Sequence, residues 1–93
     1  VTVLFADLRD FTALAETLDG QQTVALLNDF LGRMVTPIFA RGGTLDKYTG
    51  DGLMAYFGAP VARADHAEQA VRCALEMHAA LAAMNQERSA AGL

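Results

Sequence analysis

The chain opens on VTVLFA, six uncharged and mostly apolar residues that run straight into Asp7. A continuous apolar run rich in β-branched residues predicts a strand buried on both faces, here Val1 to Ala6. From Thr12 the pattern turns helical, with Thr12 as the cap of a short helix that ends near Leu18, where Asp19-Gly20 breaks it. Between Gln22 and Ala40, Val24, Leu27, Phe30, Leu31, Met34, Val35 and Ile38 recur at spacings of three and four. That is the apolar stripe of one long helix. Pro37 lies inside it and removes a backbone donor, so a kink over residues 33–37 or an early end is expected. Gly42-Gly43 stops the helix in either case.

Two more strands follow, Gly43 to Tyr48 and Leu53 to Phe57, around the turn sequence Thr49-Gly50-Asp51-Gly52. The last helix is expected to open at Asp65, with Glu68 three residues on completing a capping box. Its predicted buried stripe is Ala67, Ala70, Val71, Ala74, Leu75, His78, Leu81 and Ala82, and Glu68, Arg72 and Glu76 are spaced to pair on the outer face. The order β-α-α-β-β-α predicts an α+β sandwich, with helices on one face of a mainly antiparallel sheet. A βαββαβ layout supplies one more strand after the last helix. Residues 1–93 are therefore expected to form one partial domain, cut short after β-α-α-β-β-α.

Composition narrows the classes. Of 93 residues, 53% are hydrophobic and 19% charged, which is a core-forming balance and not a disordered one. The net charge is −4 and Lys and Arg form no run, which argues against nonspecific nucleic-acid binding and direct contact with an anionic membrane. The single cysteine, Cys73, excludes an internal disulfide and fits a reducing compartment. No apolar stretch approaches the roughly 20 residues that span a bilayer, and no signal-peptide pattern is present. A cytoplasmic soluble domain is expected, or the cytosolic part of a larger protein.

Two carboxylates stand where a fold does not need them. Asp7 ends the first strand, and Asp51 sits between two glycines at the hairpin tip in KYTGDGLMAYF. Either alone reads as a turn residue. In a β-α-β-β arrangement, however, the end of strand one and the tip of a neighbouring hairpin lie side by side. Two carboxylates that close repel unless a cation or proton sits between them. Mg²⁺ suits such a pair, because it needs few carboxylates and completes its shell with water and substrate phosphate. Two ions there would stabilise both oxygens of a phosphoryl transfer. The turn Arg9-Asp10-Phe11-Thr12 offers backbone N–H groups to phosphate oxygens.

Taken together, VTVLFADLRDFTALAE and GGTLDKYTGDGLMAYFGAP resemble the amino-terminal part of a class III nucleotidyl cyclase catalytic domain, and the resemblance covers the whole chain. It implies a ferredoxin-like fold of the βαββαβ type. It also implies that Asp7 and Asp51 coordinate two divalent ions, Mg²⁺ or Mn²⁺, with the Leu8 carbonyl helping to hold one. The amides around Phe11 and Thr12 would contact the triphosphate. Lys47 matches the purine-reading lysine of the adenylate-forming members, whereas guanylate-forming relatives usually carry Glu. The donor pattern agrees, since N1 of adenine accepts a hydrogen bond while N1 and N2 of guanine donate. The expected activity is conversion of ATP to 3′,5′-cyclic AMP and pyrophosphate in a head-to-tail homodimer.

Asp10 departs from the family, which often has Gly there, and adds negative charge near the phosphate position. The family's transition-state Asn and Arg fall beyond residue 93, so this chain alone is expected to be inactive. The alternatives are a guanylate cyclase, and a non-catalytic cyclase-derived nucleotide-binding or dimerisation module. A diguanylate cyclase or polymerase-like palm lacks support, because no GG-acidic-acidic-F is present. An aspartyl phosphatase would want D-x-D. His66 and His78, twelve apart, have no ligand spacing. Cys73 and the four methionines are expected in or near the core.

Overall fold

Why the chain folds as it does is clearest from its middle strand. The structure, a computed structural model, describes residues 1–9, 11–50 and 52–92, with the Thr12 side chain left aside. Its elements are β1 (Thr2–Asp7), α1 (Phe11–Ala15), α2 (Gly20–Ala40), β2 (Thr44–Tyr48), β3 (Gly52–Phe57) and α3 (His66–Ala90). This is the expected β-α-α-β-β-α order. The sheet runs β1-β3-β2, and both pairings are antiparallel. Leu53, Ala55 and Phe57 of β3 are 0 to 1% exposed and meet Leu26, Phe30, Met34 and Ile38 of α2 and Ala70, Cys73, Met77 and Met84 of α3 in one cluster. The helices therefore cover one face only, and apolar burial on that side supplies the main driving force.

β1 corrects one expectation. It is an edge strand whose exposure alternates, with Val3 49% and Phe5 68% exposed. Its apolar run gave no sign of this, because a run that is apolar at every position suits either a covered or a bare outer face.

α1 begins at Phe11 and stops at Ala15, so Thr12 lies inside it and is not its cap. Asp19 is the N-cap of α2 as well as a break. Its carboxylate accepts from the Gln22 N–H at 2.7 Å while the Gln22 side chain accepts from the Asp19 N–H at 3.1 Å, a reciprocal capping box. The helix runs through Pro37 without the early end that was allowed for. Its C-terminus closes with the Gly42 N–H on the Phe39 carbonyl at 3.1 Å and the Gly43 N–H on Ile38 at 2.8 Å. Gly42 has φ +73°, the left-handed turn that such an ending requires. A Cβ on Gly43 would strike the Phe57 ring, so the bare backbone lets β3 pack under the helix end. Val24 of the predicted stripe is 58% exposed, and Leu26 takes its place in the core.

α3 corrects two more. Asp65 makes no side-chain cap bond. Its carboxylate instead accepts from Gln69 at 3.0 Å and from Arg63, and these two, Gln69 first, hold it below the usual carboxylate range. The buried stripe is Ala70, Cys73, Met77 and Met84, while Val71 and Leu75 are 61% and 65% exposed. An alanine-rich helix carries apolar residues on two faces, so spacing alone did not select the buried one. Arg72 reaches Glu68 as expected, but Glu76 pairs across to Arg41 of the α2–β2 corner. Arg33 bonds Asp29 of its own helix at 2.8 Å and joins α2 to α3 through Glu87 at 2.6 Å, and it is these bonds, Asp29 first, that raise its pKa. Exposed pairs of this kind contribute little to stability.

Cys73 is fully buried, and burial first, then Glu76, pushes its thiol up to about 11 from 9.0, partly offset by Arg41. The unfolded chain therefore loses the proton first. This contribution to stability is complete below the unfolded value and is lost as pH rises through the folded one. Stability of the wild-type chain should fall more steeply between about pH 9 and 11 than that of Cys73→Ala, as read by urea titration. Equal slopes would contradict it.

Candidate active site

The site is built on the β1–β3 ladder. Thr2 faces Phe57, Val3 faces Tyr56, Leu4 faces Ala55, Phe5 faces Met54, Ala6 faces Leu53 and Asp7 faces Gly52. Directly opposed residues of an antiparallel pair share a face. Leu4 and Ala6 therefore point with Ala55 and Leu53 into the core, and Val3, Phe5 and Asp7 point the other way. Asp7 is exposed at the last rung of the ladder. Gly52 leaves its carboxylate room: a Cβ there would collide with Asp7 Oδ1 and the Ala6 carbonyl oxygen. Sequence reasoning took Gly52 for turn chemistry only. The signal for more was the second glycine of GDG, placed at a rung rather than in the turn.

The hairpin that carries Gly52 closes with the Thr49 N–H on the Gly52 carbonyl at 2.9 Å, and Gly50 takes φ +75°. Asp51 and Asp10 lie outside the described residues, as does the Thr12 side chain. What the structure places is Gly52, the residue bonded to Asp51, against Asp7.

Leu8 and Phe11 flank the β1–α1 turn, and both side chains are half-buried against the core cluster. Their packing ties the residues at either end of that turn to the core. Lys47 is exposed on β2 and faces Met54, so Phe5, Met54 and Lys47 form one row across the three strands. The β2–β3 ladder slips between Leu45 and Lys47, with Asp46 as the extra residue. The bulge lets Leu45 face Ala55 on the core side while Lys47, two residues on, takes the open face. Lys47 thus shares a face with Asp7, set back along the strands by about 7 Å and across by about two strand spacings.

Asp7 is one carboxylate, and no group of three or more His, Cys, Asp or Glu that could hold a metal occurs among the described residues. A single exposed carboxylate is an oxygen ligand of the kind a hard ion such as Mg²⁺ takes while water and phosphate fill its other positions. The second sequence-predicted carboxylate, Asp51, is the residue next to the rung. His66 is engaged elsewhere, its Nδ1 2.7 Å from the Thr2 hydroxyl. Cys73 lies in the core.

An exposed carboxylate at a strand end, a glycine rung beside it and a lysine on the same open sheet face are thus brought onto one side of the sheet. The family model for the adenylate and guanylate cyclase catalytic domain matches residues 1–92, and the chain belongs to that family. It is 38% identical over all 93 residues to adenylate cyclase 1 of Rhizobium meliloti strain 1021, and spans 14% of that protein. Among solved structures it is similar to the adenylyl cyclase CyaB of P. aeruginosa, with TM-score 0.92 and 34% identity, covering 98% of this chain and 47% of that one. It is also similar to the guanylyl cyclase Cya2, with TM-score 0.89 and 42% identity, covering 98% and 46%. The chain thus spans about half of each solved relative.

Proposed function

We propose that this domain is the metal- and triphosphate-binding half of an adenylate cyclase that converts ATP to 3′,5′-cyclic AMP and pyrophosphate. The observation that carries the reading is the register of Asp7 with Gly52, the neighbour of Asp51. Asp7, Asp51 and the Leu8 carbonyl are the groups assigned to hold two Mg²⁺ or Mn²⁺ ions. When bound, such ions neutralise the triphosphate and lower the pKa of the ribose 3′-hydroxyl that attacks the α-phosphorus. The amides around Phe11 and Thr12 orient the phosphates, and Lys47 donates to the purine ring. In a head-to-tail homodimer, Asp7 and Asp51 of one chain serve one site and Lys47 of that chain serves the other. The reading puts the domain in the cytoplasm, in keeping with its unpaired Cys73. No described helix is long and apolar enough to cross a membrane.

A guanylate cyclase is the second reading, favoured by the 42% identity to Cya2. Lys47 decides between them. In a cyclase containing this domain, Asp7→Asn should lower kcat by at least about a hundredfold with either Mg²⁺ or Mn²⁺, the scale on which losing a transition-state charge partner acts. Activity within a few-fold of wild type would remove Asp7 from the site. Lys47→Glu should cut kcat/KM for ATP about tenfold or more relative to GTP, since a mismatched hydrogen bond at a base edge costs roughly 1–3 kcal/mol. An unchanged ATP-to-GTP ratio would show that Lys47 does not read the base, and a wild-type preference for GTP would favour the second reading.

A further inference from the structure

The pairing of β2 with β3 holds one residue more than it needs. Leu45 to Tyr48 spans three residue steps where the facing Ala55 to Leu53 spans two, and Asp46 is the surplus. Both ends of the strand are pinned. The Thr44 hydroxyl donates to the Ala59 carbonyl at 3.2 Å at one end, and the Thr49 N–H donates to the Gly52 carbonyl at 2.9 Å at the other. The extra residue is therefore taken up where it stands, as a bulge.

Side chains alternate along a strand. Counting forward from Leu45 on the core side puts Asp46 on the open face. Counting back from Tyr48, which faces Leu53, puts Lys47 there too. Both residues are exposed. Neither joins an ion pair among the described residues, so the Asp46 carboxylate does not hold the ammonium. What acts on Lys47 is the backbone. A bulge raises the local right-handed twist and re-aims the side chain beside it. A lysine ammonium stands about 6 Å from its Cα, so a turn of roughly 20° there carries it about 2 Å. That is enough to make or miss a hydrogen bond.

We infer that Asp46 is a positioning residue for Lys47, and that the extra residue, not its carboxylate, sets how sharply the lysine discriminates between purine bases. The inference rests on the base-reading role proposed above for Lys47 and names what aims it.

Deletion of Asp46 isolates that role. Lys47 would then follow Leu45 directly, and alternation alone would still set it opposite Met54, with the bulge gone. In a cyclase containing this domain, the deletion should lower the ratio of kcat/KM for ATP to that for GTP about tenfold, the scale of one lost hydrogen bond at a base edge. Asp46→Asn keeps the residue count and should hold the wild-type ratio within about twofold. Added to Lys47→Ala, the deletion should change the ratio no further, because its effect passes through the lysine. A merely structural loss would add to it. Circular dichroism checks the fold. Should the deletion unfold, Asp46→Gly keeps the length, loosens the bulge and should lower the ratio a few-fold.

An unchanged ratio in the folded deletion, or in Asp46→Gly where the deletion does not fold, would overturn the inference. So would a full loss of preference in Asp46→Asn, or an added loss on top of Lys47→Ala. Lys47→Ala alone separates the inference from the reading beneath it. If that variant shifts the ratio and the deletion does not, only the role of the bulge is wrong. If Lys47→Ala leaves the ratio untouched, the base-reading role falls and the inference falls with it.

Discussion

The antiparallel register of β1 on β3 is the constraint on which the rest depends. It pairs six consecutive residues and ends with Asp7 against Gly52. A slip of one residue would turn every side chain of β1 to the opposite face, sending Leu4 and Ala6 to solvent and Asp7 toward the core. The core enforces the register, because Leu53, Ala55 and Phe57 are almost wholly buried beneath α2 and α3. Hydrophobic burial on one side of the sheet thus fixes where a carboxylate stands on the other. The Asp46 bulge does the same for Lys47, since it lets Leu45 stay with the core while the lysine turns out.

Much of this was legible in the sequence. The element order, the hairpin and its glycine tip followed from apolar periodicity and turn chemistry, and Asp7 stood out because a carboxylate ended an apolar strand. What was not legible depends on neighbours. Whether VTVLFA is covered on both faces is decided by sheet order, which places β1 at an edge. Which face of α3 is buried is decided by its packing on α2 and the sheet, since alanine, valine and leucine occupy both sides of it. The Asp65–Gln69 bond displaced the expected capping box because Arg63, packed into the same corner, also claims that carboxylate.

The site was legible as residue types and not as geometry. Asp7 was named from its place at the end of an apolar strand and Lys47 from the family resemblance, but their common face follows only from the ladder, and Gly52 acquires meaning only at its rung. Asp10 and Asp51 lie outside the described residues, and for them the sequence carries the reading. Leu8 and Phe11 illustrate a general economy of such sites. Each is assigned a backbone group in the proposed site, and its side chain packs against the core.

The central claim is that the end of β1 and the tip of the β2–β3 hairpin together hold divalent metal. The most direct measurement is amide NMR of the ¹⁵N-labelled chain titrated with Mn²⁺, whose unpaired electrons broaden only nearby resonances. Broadening should begin at Asp7, Leu8 and Gly52 and spare the far ends of α2 and α3, and Mg²⁺ in excess should reverse it. Broadening centred elsewhere, or none at the Asp7–Gly52 rung, would contradict the claim.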